Sequence, residues 1–140
     1  EIKAACNILD ACISHIYHQR MLEVRNLDTA QQIEKYINDN IAWDLSIEHL
    51  CAHFSVSRAE LYQIFHTSFN SSVADYIRSK RIAMAEQMIR TTAMQISEIA
   101  ANVGFYDYNY FSKVFHRKFG CSPREYRKNL ESSEEEAEKK

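Results

Sequence analysis

Residues 96–127 read ISEIAANVGFYDYNYFSKVFHRKFGCSPREYR, and this stretch decides the fold. Ile96, Ile99, Ala100 and Val103 recur at helical spacing, Gly104 and Phe105 interrupt the period, and Phe111, Val114, Phe115 and Phe119 resume it. Two helices meeting across a tight turn give this pattern. Gly104 stands where the first helix must reverse, a place that favours positive φ, and Asp107 offers an oxygen to cap the second helix. Gly120 ends that helix. Ser122, Pro123 and Glu125 then supply a capping hydroxyl, a proline at the first helical position and a carboxylate three residues after the cap, so a further helix follows.

The pattern occurs twice. Shifted back by 49, Ile96, Ile99 and Phe105 fall on Ile47, Leu50 and Val56; shifted back by 50, Phe111, Phe115, His116, Phe119, Ser122, Glu125 and Tyr126 fall on Leu61, Phe65, His66, Phe69, Ser72, Asp75 and Tyr76. The extra residue, Tyr106, lies in the turn, so the helices keep register. In the first copy Ser55 replaces Gly104 and Asn70 replaces Gly120, and asparagine is the non-glycine residue that best tolerates the left-handed conformation.

With 140 residues, two glycines, one proline and 46% hydrophobic side chains, the chain suits one all-α domain with an appendage. No strand alternation competes. The four cysteines form no C-x-x-C pair and read as small buried hydrophobes in a reducing, cytoplasmic setting. No run of 18 apolar residues and no basic-then-apolar leader is present, so neither a membrane span nor export is expected. Net charge is −2, but its distribution is uneven: residues 78–128 carry 10 basic and 4 acidic side chains, whereas residues 131–140 carry 2 and 5. Positive charge gathers around the second copy of the motif, as a nucleic-acid partner requires.

Residues 1–28 read as a connector helix. Ile2, Cys6, Leu9, Ile13 and Ile16 form a coiled-coil-like row that Arg20 ends after little more than two heptads, compatible with a homodimer or with a helix cut from an absent core. The helical start without methionine leads us to expect a longer polypeptide. Asn26 and Leu27 predict a break, after which Asp28, with Gln31 as reciprocal partner, caps a helix whose inward stripe is Ala30, Ile33, Ile37 and Ile41. The domain is expected over residues 29–130, with a first helix-turn-helix at about 46–69, a linker helix at about 72–90 and a second motif at about 95–119. The linker's inward side is read as Val73, Tyr76, Ile77, Met84, Ala85 and Met88. At ~1.5 Å per residue it spans about 28 Å, of the order of one DNA turn, so two readers on one strut can enter successive major-groove segments. Residues 131–140, Ser/Glu/Lys-rich and without apolar period, predict a disordered acidic tail.

The outward faces of the two second helices supply the candidate base readers. They are Arg58, Ala59, Tyr62, Gln63 and His66 on the first, and Tyr108, Asn109, Ser112, Lys113 and His116 on the second. Asn and Gln can both give and take a hydrogen bond at adenine, Lys can donate to guanine, and Ala59 can only touch a thymine methyl. Arg78, Lys80, Arg117, Lys118, Arg124, Arg127 and Lys128 are the candidate phosphate contacts, which set affinity without reading sequence. Any one of them could equally be solvated surface. Arg81 falls inside the apolar stripe of the linker and is read as an internal ion-pair residue.

Residues Ile96, Ile99, Ala100, Val103, Gly104, Phe105, Tyr110, Phe111, Phe115, Phe119, Gly120, Pro123, Tyr126 and Arg127 closely resemble the C-terminal signature of the arabinose-regulator (AraC/XylS) family of bacterial transcription factors. The resemblance extends over residues 29–128. It implies a seven-helix DNA-binding domain with two helix-turn-helix motifs on an asymmetric promoter site, which usually activates transcription by contacting RNA polymerase. It also implies a separate sensing or dimerising domain upstream, and base reading from the outward positions just named.

Enzyme-like patterns fail. His49 and His53 are four apart, but without the H-E-x-x-H order; Cys12, His15 and His18 are spaced by three; no phosphate loop or nucleophile elbow exists. No cofactor, metal or catalytic residue is expected. The competing reading is a helical protein-interaction module docking through the N-terminal row and the acidic tail, and salt separates the two, because phosphate contacts weaken steeply with it and apolar contacts do not.

Overall fold

The computed structural model describes residues 2–139. The side chain of Ile2, first in the N-terminal row, and Lys140, last in the tail, lie outside the described residues. Among the described residues seven helices follow one another: α1 (Ile2–Asp39), α2 (Ile47–Phe54), α3 (Arg58–Phe69), α4 (Val73–Thr91), α5 (Ile96–Asn102), α6 (Tyr108–Phe119) and α7 (Pro123–Glu138). The all-α architecture, the two helix-turn-helix motifs and the linker helix are as expected from the sequence.

The boundaries are set by local chemistry. Ser46, Ser57, Ser72 and Ser122 accept from the backbone N–H three residues on, and Glu60 and Glu125 return the bond to complete capping boxes. Asp107 caps α6 by accepting from the Asn109 N–H at 2.9 Å. Asn70 (φ 48°) and Gly120 (φ 78°) end the two reader helices in the left-handed conformation, and Ser55 (φ 52°) ends α2 in the same way.

The repeat is visible in the packing. One core gathers Ile33, Ile37, Leu50, Leu61, Ile64, Phe65 and Ile77; a second, separate core gathers Ile82, Ala85, Ile89, Ile99, Val103, Phe111 and Phe115. In each half a tyrosine of the closing helix stands edge-on to the central phenylalanine and donates to a glutamate of the opening helix. Tyr76 packs on Phe65 and bonds Glu34, and Tyr126 packs on Phe115 and bonds Glu86. Lys80 in the first half and Arg90 in the second complete the cluster. The Lys80 hydrogen bond, helped by Tyr76, holds the Glu34 carboxyl below its ordinary value, and burial together with Glu34 pushes the Tyr76 phenol up. Thus α4 closes the first half and opens the second.

Three expectations are corrected. First, α1 does not break at Asn26 and Leu27: the Asp28 carboxylate accepts from Gln32 Nε2 one turn on (3.0 Å) and caps nothing. No glycine or proline occurs in α1, and propagating a helix needs fewer ordered residues per bond than nucleating another. Second, the expected disordered tail is helical to Glu138, its run of glutamates favouring helix, with the Ser132 and Ser133 hydroxyls donating back to the Lys128 and Asn129 carbonyls. Third, Met84 is exposed on α4, and Ile82 and Ile89 take the inward places.

Candidate nucleic-acid interface

On α6 the amphipathic division is clean. Phe111, Val114 and Phe115 are buried, while Asn109, Ser112, Lys113 and His116 converge with Arg117 around one shallow open depression. All but the half-buried Ser112 are exposed. An amide, a hydroxyl, an ammonium, an imidazole and a guanidinium on one side of one helix provide the donors and acceptors that base edges and phosphates match. Tyr108, expected among them, differs: its ring packs against the second core, 6.2 Å from that of Phe111, because the first turn of α6 starts on the core side.

The first reader is less open. Tyr62 and His66 are exposed on α3, but Arg58 is ion-paired with Glu48 of α2. Ala59 and Gln63 share a hollow with Gln19, Leu22, Glu23 and Asn26 of α1, which the unbroken helix carries alongside α3.

The expected phosphate contacts divide. The side chains of Arg117, Lys118, Arg124 and Lys128 are exposed and make no hydrogen bond or ion pair among the described residues. The other three are engaged within the fold. Arg78 pairs with Asp75 and donates to the Tyr110 hydroxyl at 3.2 Å. Lys80 pairs with Glu34 at 2.9 Å and lies 5.3 Å above the Tyr76 ring. Arg127 donates to the Met94 carbonyl at 2.7 Å and the Thr92 carbonyl at 3.3 Å, tying α7 to the connection before α5. Arg81 is internal as expected but makes no ion pair among the described residues; it donates to the Ile41 and Trp43 carbonyls, and burial pushes its guanidinium below the ordinary arginine value.

Sequence reasoning did not single out a cleft of about 680 Å³ between the two motifs, lined by Trp43, Ser46, Arg78, Arg81, Tyr106 and Tyr110. Trp43 is 71% and Tyr106 92% exposed at its lips. The extra residue in the second copy of the repeat was the available signal for Tyr106. His49 and His53, spaced like metal ligands, flank Tyr36 instead, with its hydroxyl 2.8 Å from His49 Nε2 and its ring 4.1 Å from that of His53.

Comparison with known proteins agrees with this geometry. A family model described as a helix-turn-helix domain matches residues 50–129. The HTH-type transcriptional activator RhaR of Cronobacter sakazakii is 33% identical over 100 residues, 71% of this chain and 35% of its own length. The regulatory protein SoxS of Escherichia coli K12 is 34% identical over 104 residues, covering 69% of this chain and 97% of SoxS. The chain spans only 33–41% of the length of relatives of the first kind. Among structures, the C-terminal domain of the response regulator yesN from Fusobacterium nucleatum superposes with a TM-score of 0.65 at 28% identity, over 69% of this chain and 95% of that one. The DNA-binding domain of AdpA, crystallised with a target DNA, shares the fold with a TM-score of 0.71 at 20% identity, over 74% of this chain and 94% of that one. With two repeated motifs on one strut, an exposed polar face on the second reader and these relatives, the chain belongs to the AraC/XylS family of DNA-binding transcription regulators.

Proposed function

We propose that this chain activates transcription by reading two adjacent major-groove segments of an asymmetric promoter site, with α6 supplying most of the base specificity. The convergence of Asn109, Ser112, Lys113 and His116 on the open face of α6 carries this reading. Arg117, Lys118, Arg124 and Lys128 hold phosphates, and Tyr62, Gln63 and His66 of α3 read the second box. Selection of the 140-residue chain against a random duplex library is the direct test: two enriched boxes about one helical turn apart support it, and a single box limits reading to α6. Asn109→Ala and Lys113→Ala are expected to relax specificity at one or two base pairs, each costing about 1–3 kcal/mol, whereas Arg124→Ala weakens all sequences alike. Quantitative binding to single-base variants of the selected site checks this, and a uniform loss from Asn109→Ala would remove it from the readers.

The first reader works under a constraint. A major groove about 12 Å wide admits one helix, and α3 shares its Ala59 and Gln63 side with α1. In this reading, residues 19–26 must leave α3 before it enters DNA, and Asn26 and Asp28 mark the place to bend. Leu27→Pro is therefore expected to raise affinity for the α3 box and leave the α6 box unchanged; equal affinity of variant and parent for both boxes would show that α1 is no obstacle.

Partners follow from the same surfaces. Leu9, Ile13 and Ile16 remain exposed along α1 and favour a homodimer or another helical partner, which sedimentation of the chain distinguishes from a monomer. Contact with RNA polymerase is part of the activator reading, and run-off transcription from the selected site tests it. The location is cytoplasmic, where promoter DNA is; no described helix is long and apolar enough to cross a membrane. Neither cofactor nor catalysis enters this reading.

A further inference from the structure

The two halves are joined by α4, and one point on that strut does more than connect. Arg81 lies at mid-helix between Ile77 of the first core and Ile82 and Ala85 of the second. Its Nε donates to the Ile41 carbonyl at 3.0 Å and its Nη2 to the Trp43 carbonyl at 3.0 Å, both just beyond α1. Gly104, in the turn between α5 and α6, closes on the same atoms: a Cβ there would be 2.8 Å from Arg81 Nε and 2.8 Å from the Ile41 oxygen. Its φ of 91° is also one that L side chains rarely adopt. Hence the end of α1, the middle of α4 and the turn that launches α6 touch at one place.

We propose that Arg81 and Gly104 form a positioning joint that fixes the angle between the two recognition helices, and thereby the number of base pairs the protein accepts between its two boxes. The proposal rests on the two-reader reading above. Separate cores leave each half free to keep its own fold while tilting against the other, so the relative orientation depends on the strut and on whatever braces it. A guanidinium makes a good brace because its planar fork holds two carbonyls in fixed directions, whereas a lysine ammonium on a flexible stem is a point donor. The second bridge, Arg78 to the Tyr110 hydroxyl, is more exposed and is shared with Asp75. Adding one base pair moves a box by about 3.4 Å and rotates it by about a tenth of a turn, a displacement that a braced pair of readers rejects and an unbraced pair follows.

Two measurements on the full 140-residue chain test the joint, each comparing the parent with Arg81→Met and Arg81→Lys. The first is binding to duplexes carrying the two selected boxes with the spacer varied by single base pairs, and to each box alone. The parent is expected to lose about tenfold per base pair of wrong spacing, and Arg81→Met less than about threefold, with affinities for single boxes unchanged and Arg81→Lys between the two. The second needs no DNA: spin labels at Ser68→Cys on α3 and Lys118→Cys on α6, with the four native cysteines replaced, report the distance between readers. One narrow distribution is expected for the parent and a broadened one for Arg81→Met. An unchanged width, or a spacing preference in Arg81→Met as sharp as the parent's, overturns the joint. A broadened distribution in a protein whose parent selects no pair of boxes leaves the joint standing and removes the two-reader reading. Should Arg81→Met lose its helical ellipticity, Arg81→Lys, which keeps the charge, provides both comparisons.

Discussion

Phe115→Ala is expected to destabilise the second half of the molecule by about 3–5 kcal/mol, the range for removing a fully buried phenylalanine whose cavity the surroundings cannot refill. Phe115 is fully buried, with its ring 5.8 Å from Phe111, 4.5 Å from Phe119 and 5.5 Å from Tyr126. These three rings come from α6 and α7, so collapse into the hole would have to move helices, not side chains alone. The loss is also expected to be local. Phe65 occupies the equivalent place in the first core, which shares no buried residue with the second. The amides of Leu61 and Ile64 in α3 report on the first core and those of Phe111 and Val114 in α6 on the second. In urea, hydrogen exchange at the α6 amides of Phe115→Ala should therefore rise before that at the α3 amides. Coincident transitions would mean that α4 couples the halves into one cooperative unit and that the two cores are independent in outline only.

Features legible in the sequence are those that short-range chemistry decides. Ser57 with Glu60 and Ser122 with Glu125 announce helix starts within four residues, and Gly104, Gly120 and Asn70 announce reversals through their own φ preferences. Burial of Leu61, Phe65, Phe111 and Phe115 follows from a period of 3.6. Illegible features are those in which a side chain chooses among distant partners. Arg78, Lys80 and Arg127 all read as cations near a basic region, yet the Tyr110 hydroxyl, Glu34 and the Met94 carbonyl that they reach lie 32, 46 and 33 residues away, and nothing in the sequence spacing tells such a partner from a phosphate. Tyr108 departs from expectation for a related reason: at the first turn of a helix, the entry direction of the chain decides which side faces the core. The break expected at Asn26 and Leu27 fails because a good cap at Asp28 competes with continued propagation, and both are locally sound.

Engagement of those cations changes what DNA binding should look like in salt. If all seven candidate phosphate contacts were made, log K would fall against log[salt] with a slope of about −6. Arg78, Lys80 and Arg127 already serve Asp75, Glu34 and the carbonyls of Met94 and Thr92, and withdrawing them would break these contacts. Arg117, Lys118, Arg124 and Lys128 remain, which predicts a slope of about −3.6 and a loss of about 10²-fold between 50 and 200 mM salt. The seven-contact alternative predicts a loss of nearly 10⁴-fold over the same range, so a titration at four or five salt concentrations separates them. Single replacements sharpen the comparison: Arg124→Ala should make the slope shallower by about 0.9, and Arg78→Ala should leave it unchanged while loosening the contact with Tyr110. A slope near −6 that becomes shallower in Arg78→Ala would mean that this arginine exchanges Asp75 for a phosphate on binding. The pairs seen in the free protein would then be resting places for DNA-binding cations and not fixtures of the fold.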